Sequence, residues 1–205
     1  MDPATPPVAS SAMPAYPVRL DLDAPNKIAR WRPFVHFIMA IPHFFISQAL
    51  QTLSGVVTVI AFFAILFTKR YPEGLFKIAA MSSRYGWRVM SFAFYLREAY
   101  PPFEFSSEPE DPGTDPARFS IEYPQELSRW LPFVKIFLVI PHLFVMFFLG
   151  VGMVVVWFLS FFAVLFTGRY PEGMRNYVVG VMRWGHRVGA YVGLMTDRYP
   201  PFSLQ

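Results

Sequence analysis

Long apolar runs dominate the pattern of the chain and fall into two pairs. The first pair occupies residues 33–51 and 53–68, and the second occupies residues 131–149 and 151–167. These runs are apolar around the whole helix circumference, so none of them has a polar face for water. A helix of about 20 residues matches a hydrocarbon core of about 30 Å, which the first run of each pair can cross. The pattern predicts an all-α integral membrane protein with two tandem helical hairpins, that is, four membrane helices.

Short alternating segments precede each pair. Residues 16–23 place Val18, Leu20 and Leu22 between polar neighbours, and residues 117–122 repeat the alternation. A period of two is typical of a half-buried strand. We expect two short cytoplasmic strands, one from each half, that pair and rest on other elements, because an isolated two-stranded ribbon is marginally stable.

Amphipathic segments follow each pair, at residues 73–97 and 172–197. In the first of them Lys77, Arg84 and Arg88 recur at helical spacing and share one face, with aromatic and aliphatic residues around them. A long amphipathic helix of this kind lies in the membrane interface more readily than it crosses the bilayer. Interfacial amphipathic helices are therefore predicted in both halves.

All of these segments occur twice at a constant offset of 99 positions, as Pro42 and Pro141 or Glu73 and Glu172 illustrate. A gapless alignment over nearly the whole chain indicates an internal duplication. Two hairpins of the same polarity would point the same way and be related by a pseudo-twofold axis along the membrane normal.

The duplication divides the chain into four parts. We predict a flexible tail at residues 1–15, a first repeat at 16–103, an acidic linker at 104–115 and a second repeat at 116–205. The tail has neither a basic nor an apolar region, so we expect no signal peptide there.

Charge and composition support a membrane location. Charged residues make up only 16% of the chain, against about 25% in soluble domains. Lys135 is the one lysine or arginine inside the apolar runs, near an end from which it can snorkel to the interface. The other charges fall on one side of the predicted hairpins, and the positive-inside rule makes that side cytoplasmic, with both termini there. The uncharged turns near residues 51–55 and 150–152 leave open a second topology, in which the hairpins re-enter the same leaflet.

Two histidines are the strongest candidates for cofactor chemistry. His43 and His142 both follow Ile-Pro in the predicted helices and are related by the duplication. Neutral imidazoles on two facing helices can ligate haem b or a metal, and they can also serve proton or quinone chemistry. The favoured interpretation is structural: each ring donates a hydrogen bond to a carbonyl that the neighbouring proline frees. His36 aligns with Lys135, so a second symmetric pair is missing.

The repeated RYPEG motif predicts an interfacial boundary. Proline suits the first helical turn, glutamate there complements the helix dipole, and Tyr, Trp and Arg favour the headgroup region. The predicted anchors are Trp31, Trp130, Arg70, Arg169, Tyr71 and Tyr170. A pair of glutamates, Glu73 and Glu172, that contacts a substrate is the alternative.

The basic stripe of the amphipathic helices has two candidate partners. Anionic lipid phosphates attract basic residues near a membrane surface by about 1 kcal/mol each. The predicted lipid-binding residues are Arg84, Arg88, Arg183, Arg187 and Lys77. Intramolecular ion pairs are the equally weighted alternative, with Glu73, Glu172, Asp21 and Glu122 as candidate carboxylates.

Six motifs recur in both halves: PxR, RWxPFV, IPH, LFTxRYPEG, RxGxRV and YPPF. Together they resemble the bacterial membrane-protein family labelled domain of unknown function 4389, with one copy of the unit in residues 17–103 and another in 116–202. The resemblance implies a small, multi-pass protein of the bacterial inner membrane. It implies neither a reaction nor a ligand.

The sequence favours a non-enzymatic role. It contains no nucleotide-binding, hydrolase, metalloprotease or nucleic-acid motif, and it has no cysteine for thiolate chemistry. We therefore expect an accessory or scaffolding subunit that packs against other integral membrane subunits and binds anionic lipid, without a resident cofactor or metal. Two alternatives remain: a haem- or quinone-binding protein that uses His43 and His142, and a small transporter or channel.

Overall fold

The computed structural model describes residues 16–25, 27–108 and 110–205, so the tail predicted at residues 1–15 lies outside the described part. The elements in chain order are β1 (Val18–Leu22), α1 (Arg32–Thr68), α2 (Glu73–Ala93), β2 (Ala117–Ile121), α3 (Leu131–Leu138), α4 (Ile140–Thr167) and α5 (Glu172–Val192). The protein is mostly helical, as its sequence predicts.

The two predicted hairpins differ from what the structure shows. Residues 51–55 lie inside α1, a single helix of 37 residues, and residues 150–152 lie inside α4. The turns predicted at these positions are therefore wrong. A break does occur in the second repeat, but it falls at Val139, just before the proline that starts α4. Two helices, α1 and α4, are long and apolar enough to cross a membrane.

The middle of α1 is less buried than its two ends. With 37 residues α1 follows a path of about 55 Å, whereas its neighbour α2, with 21 residues, is about 32 Å long. Both ends of α1 nevertheless lie beside the ends of α2, since Arg32 donates to the Glu98 carbonyl at 3.0 Å and Thr68 lies a short turn before Glu73. Its buried residues accordingly fall between 33 and 43 and between 57 and 65. The stretch of α1 between residues 44 and 56 carries no buried residue.

The end of each long helix is fixed by the start of the other repeat. Lys69 and Gly168 close α1 and α4 in the left-handed conformation, with φ of 60° and 67°. The Ile28 amide donates to the Gly168 carbonyl at 2.9 Å, and the Leu127 amide donates to the Lys69 carbonyl at 2.8 Å. The two repeats therefore exchange equivalent contacts at both corners.

The predicted ribbon and amphipathic helices are present and form the centre of the fold. β1 pairs antiparallel with β2, and Leu20 lies opposite Phe119. α2 packs on β2 and α1, while α5 packs on β1 and α4. The order of layers is therefore ribbon, amphipathic helices and long apolar helices.

A pseudo-twofold axis runs through these layers. Positions 99 apart contact each other at Leu20 and Phe119 in the ribbon, and again at Trp87 and His186, whose ring centroids are 6.1 Å apart. In the outer layer the ring pairs Phe34–Phe161 and Phe62–Phe133 are symmetry equivalents, each with centroids 5.2 Å apart. The start of each long helical segment therefore lies beside the end of the other.

Candidate functional site

The outer face of the long helices is a continuous apolar surface, which we call the apolar band. It consists of the exposed large hydrophobic side chains of α1, α3 and α4. Its phenylalanines are Phe34, Phe37, Phe45, Phe63, Phe67, Phe133, Phe137, Phe144, Phe147, Phe148, Phe158, Phe162 and Phe166. In the most apolar 18-residue stretch of each helix, only 17% of α1 and 6% of α4 is buried. A patch of this size marks a lipid or protein contact surface.

Two basic corners border the apolar band, at the points where the repeats exchange contacts. The first corner comprises Lys69, Arg70, Arg129 and Trp130, with Glu126 paired to Lys69 at 2.8 Å, and the second comprises Arg30, Trp31 and Arg169, with Glu98 beside them. Trp31 and Trp130 are 56% and 74% exposed. The structure thus brings the predicted Trp and Arg anchors of different repeats together.

The two tyrosines predicted as anchors lie elsewhere. Tyr71 and Tyr170 are buried in the core, and Tyr71 packs edge-on against Phe76 with centroids 5.5 Å apart. Burial raises the pKa of Tyr71 to about 12, so its hydroxyl stays protonated. In the RYPEG motif, therefore, the tyrosine packs in the core and the arginine lies at the surface.

A buried charge network fills the space between α2 and the linker. We call Arg84, Arg88 and Arg97 the first arginine cluster. Arg88 binds Glu104 with Nη1–Oε2 of 2.8 Å and Asp111 with Nη2–Oδ1 of 3.4 Å, while Arg97 pairs with Asp115. All three guanidinium groups are almost completely buried.

Arg84 ties the same network to the ribbon. Its Nε donates to the Phe119 carbonyl of β2 at 3.2 Å and lies 3.1 Å from Oδ2 of Asp111. Burial lowers the pKa of Arg84, and the negative charge of Asp111 opposes that change. An arginine in such a position remains charged, so its carboxylate partner is needed to compensate it.

These contacts correct the prediction that Arg84 and Arg88 bind lipid. Both side chains point away from the apolar band and are occupied by intramolecular ion pairs. The carboxylates are also not the candidates chosen from the sequence, because they come from the linker at residues 104–115. Lys77 joins the same segment, with Nζ 3.5 Å from Oε2 of Glu108.

The equivalent arginines of the second repeat have different surroundings. Arg183 donates to the Leu20 carbonyl of β1 at 3.2 Å, which mirrors the bond from Arg84 to β2. Arg187 lies over the Tyr16 ring at 5.7 Å. Among the residues that the structure describes, neither side chain pairs with a carboxylate. Burial and then the neighbouring charge of Arg183 lower the pKa of Arg187.

Each of the two candidate histidines lies in an aromatic pocket of its own repeat. The His43 ring stacks on Phe103 with centroids 4.4 Å apart, and His142 stacks on Phe202 at 4.1 Å. Nδ1 of His43 lies 2.6 Å from the Tyr85 hydroxyl. The structure therefore surrounds each ring with the YPPF motif rather than bringing the two rings together.

The hydrogen bond at His142 fixes the proton of that ring. The indole Nε1–H of Trp184 donates to Nδ1 of His142 at 3.1 Å. Because an indole is only a donor, Nδ1 must be the acceptor, and the proton of the neutral ring lies on Nε2. Ligation of iron requires an unprotonated nitrogen, so His142 does not fit haem binding through Nε2. The partners are also side chains rather than the carbonyls expected from the proline motif.

Replacing Tyr85 with phenylalanine tests the pocket of His43. We expect the free energy of unfolding to fall by about 1–3 kcal/mol, because Nδ1 of a fully buried ring loses its partner. The matched control is Tyr100→Phe, which touches the same ring but loses only an exposed bond to the Met39 carbonyl. Chemical denaturation in detergent micelles measures both changes, and equal losses would contradict a specific role for the Tyr85 hydroxyl.

One known protein family matches both repeats of the chain. The family described as Domain of unknown function (DUF4389) matches twice, at residues 30–104 and 129–203. The chain belongs to this family. Its two DUF4389 units are the tandem copies that the repeated motifs indicate. No curated protein and no solved structure matches the chain.

Two features of this DUF4389 protein were not expected from its sequence. The linker acids Glu104, Asp111 and Asp115 belong to the charge network, although Pro, Gly and Ser content made that segment look like a simple connection. Lys135 was expected to snorkel, but it is buried, with Nζ 2.7 Å from the Thr196 carbonyl and 2.9 Å from Oδ1 of Asp197. In both cases the sequence signal was an acidic residue near the end of a repeat, which could have been considered as the partner of the buried cation.

Proposed function

We propose that this DUF4389 protein is a non-enzymatic accessory or scaffolding subunit of the bacterial inner membrane that packs against larger integral membrane proteins. The observation that carries the proposal is the apolar band. α4 has no charged residue, and almost none of its most apolar window is covered by the rest of the chain. A surface of this kind needs lipid or an apolar partner.

The proposed orientation follows from the layers. The ribbon and the charged linker lie on one side of α2 and α5, and the apolar band lies on the other. If α1 crossed the bilayer from end to end, α2 beside it would carry its charged residues into the hydrocarbon, which is costly. We therefore propose that both ends of each long helix lie at the cytoplasmic surface, with the apolar band in the hydrocarbon.

Cysteine labelling tests this topology, because the chain contains no cysteine of its own. We expect Gln125→Cys, on the polar side, to react with a membrane-impermeant maleimide only from the cytoplasm. Ser54→Cys, in the middle of α1, should be protected from both sides until detergent is added. Reaction of the Ser54→Cys variant from the periplasm would instead support a hairpin whose tip reaches the periplasmic surface.

Charged substitutions in the apolar band test insertion itself. Phe147 and Phe158 are 67% and 60% exposed, so aspartate at both positions should be tolerated in water. In a bilayer each aspartate costs up to about 2.5–3.5 kcal/mol, and we expect the double variant to leave the membrane fraction on alkaline washing. The matched control is Ser107→Asp with Gln125→Asp, which adds the same charge at exposed positions outside the band and should stay in the pellet. Full retention of both variants would argue against insertion of the band.

Purification from native membranes in mild detergent tests the accessory role. We expect a stoichiometric set of integral membrane proteins to copurify, identified by mass spectrometry, and no visible absorbance from the protein itself. A solitary protein with a Soret band would contradict the proposal and support haem binding by His43 and His142.

The two basic corners are the proposed contacts for anionic lipid. They border the apolar band, and Arg169 and Arg70 are exposed there. Arg84 and Arg88 no longer support this part of the function. We expect Arg30→Gln with Arg169→Gln to lower the amount of copurified anionic lipid, measured by mass spectrometry of the extract. Unchanged lipid content would remove lipid binding from the proposal.

A further inference from the structure

The two repeats differ most in how their equivalent arginines are neutralised. In the first repeat Arg84 and Arg88 are covered by an acidic segment, residues 104–115, which carries five carboxylates. Arg183 and Arg187 occupy the equivalent positions on α5. Within the described part of the chain they have no carboxylate partner, and Nε of Arg187 is buried without a hydrogen bond.

The backbone after the YPPF motif runs beside the amphipathic helix in both repeats, and its contacts with the equivalent arginines are shifted by one residue. Arg84 donates from Nη1 to the Ser106 carbonyl at 3.0 Å, and Arg183 donates from Nη1 to the Leu204 carbonyl at 3.5 Å. Gly180 permits this approach, because an added Cβ would lie 2.7 Å from the Leu204 oxygen. Residues 203–205 carry no acidic side chain, whereas Glu104 begins the equivalent stretch with one.

An open cleft lies beside Arg183, while Arg187 lies one helical turn further along α5, outside the lining of the cleft. It has a volume of about 760 Å³ and is bordered by Arg175, Arg183, Asp21, Tyr177 and the backbone at Leu204. Two of its walls are the same kinds of element that hold the acidic segment in the first repeat, namely an amphipathic helix and a strand of the ribbon. Asp21 is its acidic wall residue, and it is exposed.

We propose that this cleft binds an acidic, extended peptide segment of a partner protein, in the way that α2 binds residues 104–115 of this chain. Carboxylates of the segment would pair with Arg183 in the cleft and with Arg187 one helical turn further along α5, and its backbone amides would meet the carbonyls along the cleft. The inference deepens the proposed function, on which it rests for the existence of a partner, by stating what chemistry the partner presents.

A peptide fits the cleft better than a lipid headgroup for two reasons. Arg183 contacts the ribbon, which is separated from the apolar band by the layer of α2 and α5. The first repeat also shows that such a site binds an acidic peptide segment, because α2 holds residues 104–115. The second site lacks a segment of this kind among the described residues. The first site keeps its own segment because a tethered ligand has a high effective concentration.

Binding of a synthetic peptide tests the proposal directly. The probe is a fluorescent peptide with the sequence of residues 104–115, EFSSEPEDPGTD, added to the full-length protein in neutral detergent micelles. We expect saturable binding that weakens with salt. Arg183→Gln with Arg187→Gln should weaken it at least about tenfold, because charge-assisted hydrogen bonds are lost. The charge-matched control, Arg19→Gln with Lys27→Gln, should bind like the parent protein.

The outcomes separate this inference from the membrane proposal. Absence of peptide binding, or equal binding by the parent and the Arg183/Arg187 variant, overturns the inference and leaves the membrane fractionation result unaffected. Displacement of the peptide by phosphatidylglycerol in the micelles also overturns it, in favour of a headgroup site. If the glutamine variant loses its tryptophan fluorescence signature, Arg183→Lys with Arg187→Lys replaces it. That variant keeps the charge and should show a smaller loss of affinity.

Discussion

Arg88→Ala is expected to lower the free energy of unfolding by about 3–5 kcal/mol, because it removes the cation at the centre of a buried charge network. Arg88 is 1% exposed and binds Glu104 and Asp111. The side chain of Asp111 is 5% exposed and would keep its negative charge with Arg84 as its ion-pair partner. Its desolvation would then be poorly compensated. Chemical denaturation in micelles, followed by tryptophan fluorescence, measures the loss.

Arg187→Ala is the matched control for this prediction. Arg187 occupies the equivalent position on α5, but its contact is with the Tyr16 ring rather than with a carboxylate. A cation–π contact contributes about 0.5–1 kcal/mol, and removal of the charge also relieves repulsion from Arg183. We expect a change of about 1 kcal/mol or less. Similar losses for the two alanine variants would show that the linker carboxylates do not stabilise the first repeat.

Trp87→Ala is expected to have a comparable effect, about 3–5 kcal/mol, through a cavity at the pseudo-twofold axis. The Trp87 side chain is completely buried, and its Nε1 donates to the Asp21 carbonyl of β1 at 3.3 Å. It also meets the His186 ring of the other repeat. The substitution therefore weakens the contact between repeats as well as the core of the first one.

Trp130→Ala is the control for Trp87→Ala, because it removes the same type of side chain from an exposed position. Its ring is 74% exposed at the first corner, so its loss should change stability in micelles by about 0.5 kcal/mol or less. The same denaturation series compares both tryptophans. A small effect at Trp87, or a large one at Trp130, would contradict the placement of these side chains.

The sequence predicted those parts of the fold that depend on local pattern. Alternation at Val18, Leu20 and Leu22 was enough to locate β1, because a strand with one buried face has a period of two. The amphipathic helices α2 and α5 were found from helical spacing for the same reason. The constant offset between repeats also predicted the pairing of strands and a twofold relation.

Long-range and uniformly apolar features escaped the same reasoning. Where every position is apolar, periodicity carries no information, and Ser54 and Gly55 looked like a turn although a helix accommodates them. The burial of Arg84 depended on carboxylates more than twenty residues away along the chain, at Asp111. The histidine pockets also required the fold, since Phe103 and Phe202 are distant in sequence from the rings on which they stack.

The shared ribbon and the exchanged corner contacts bear on how such a protein could have arisen. One unit alone has a single strand with an unpaired edge and a long helix whose C-cap carbonyl lacks its partner amide, and a second copy supplies both. A homodimer of single units would supply the same contacts and would hold two identical clefts. In the fused chain the two halves differ, since residues 104–115 cover the arginines of the first and residues 203–205 bring no acidic side chain to those of the second.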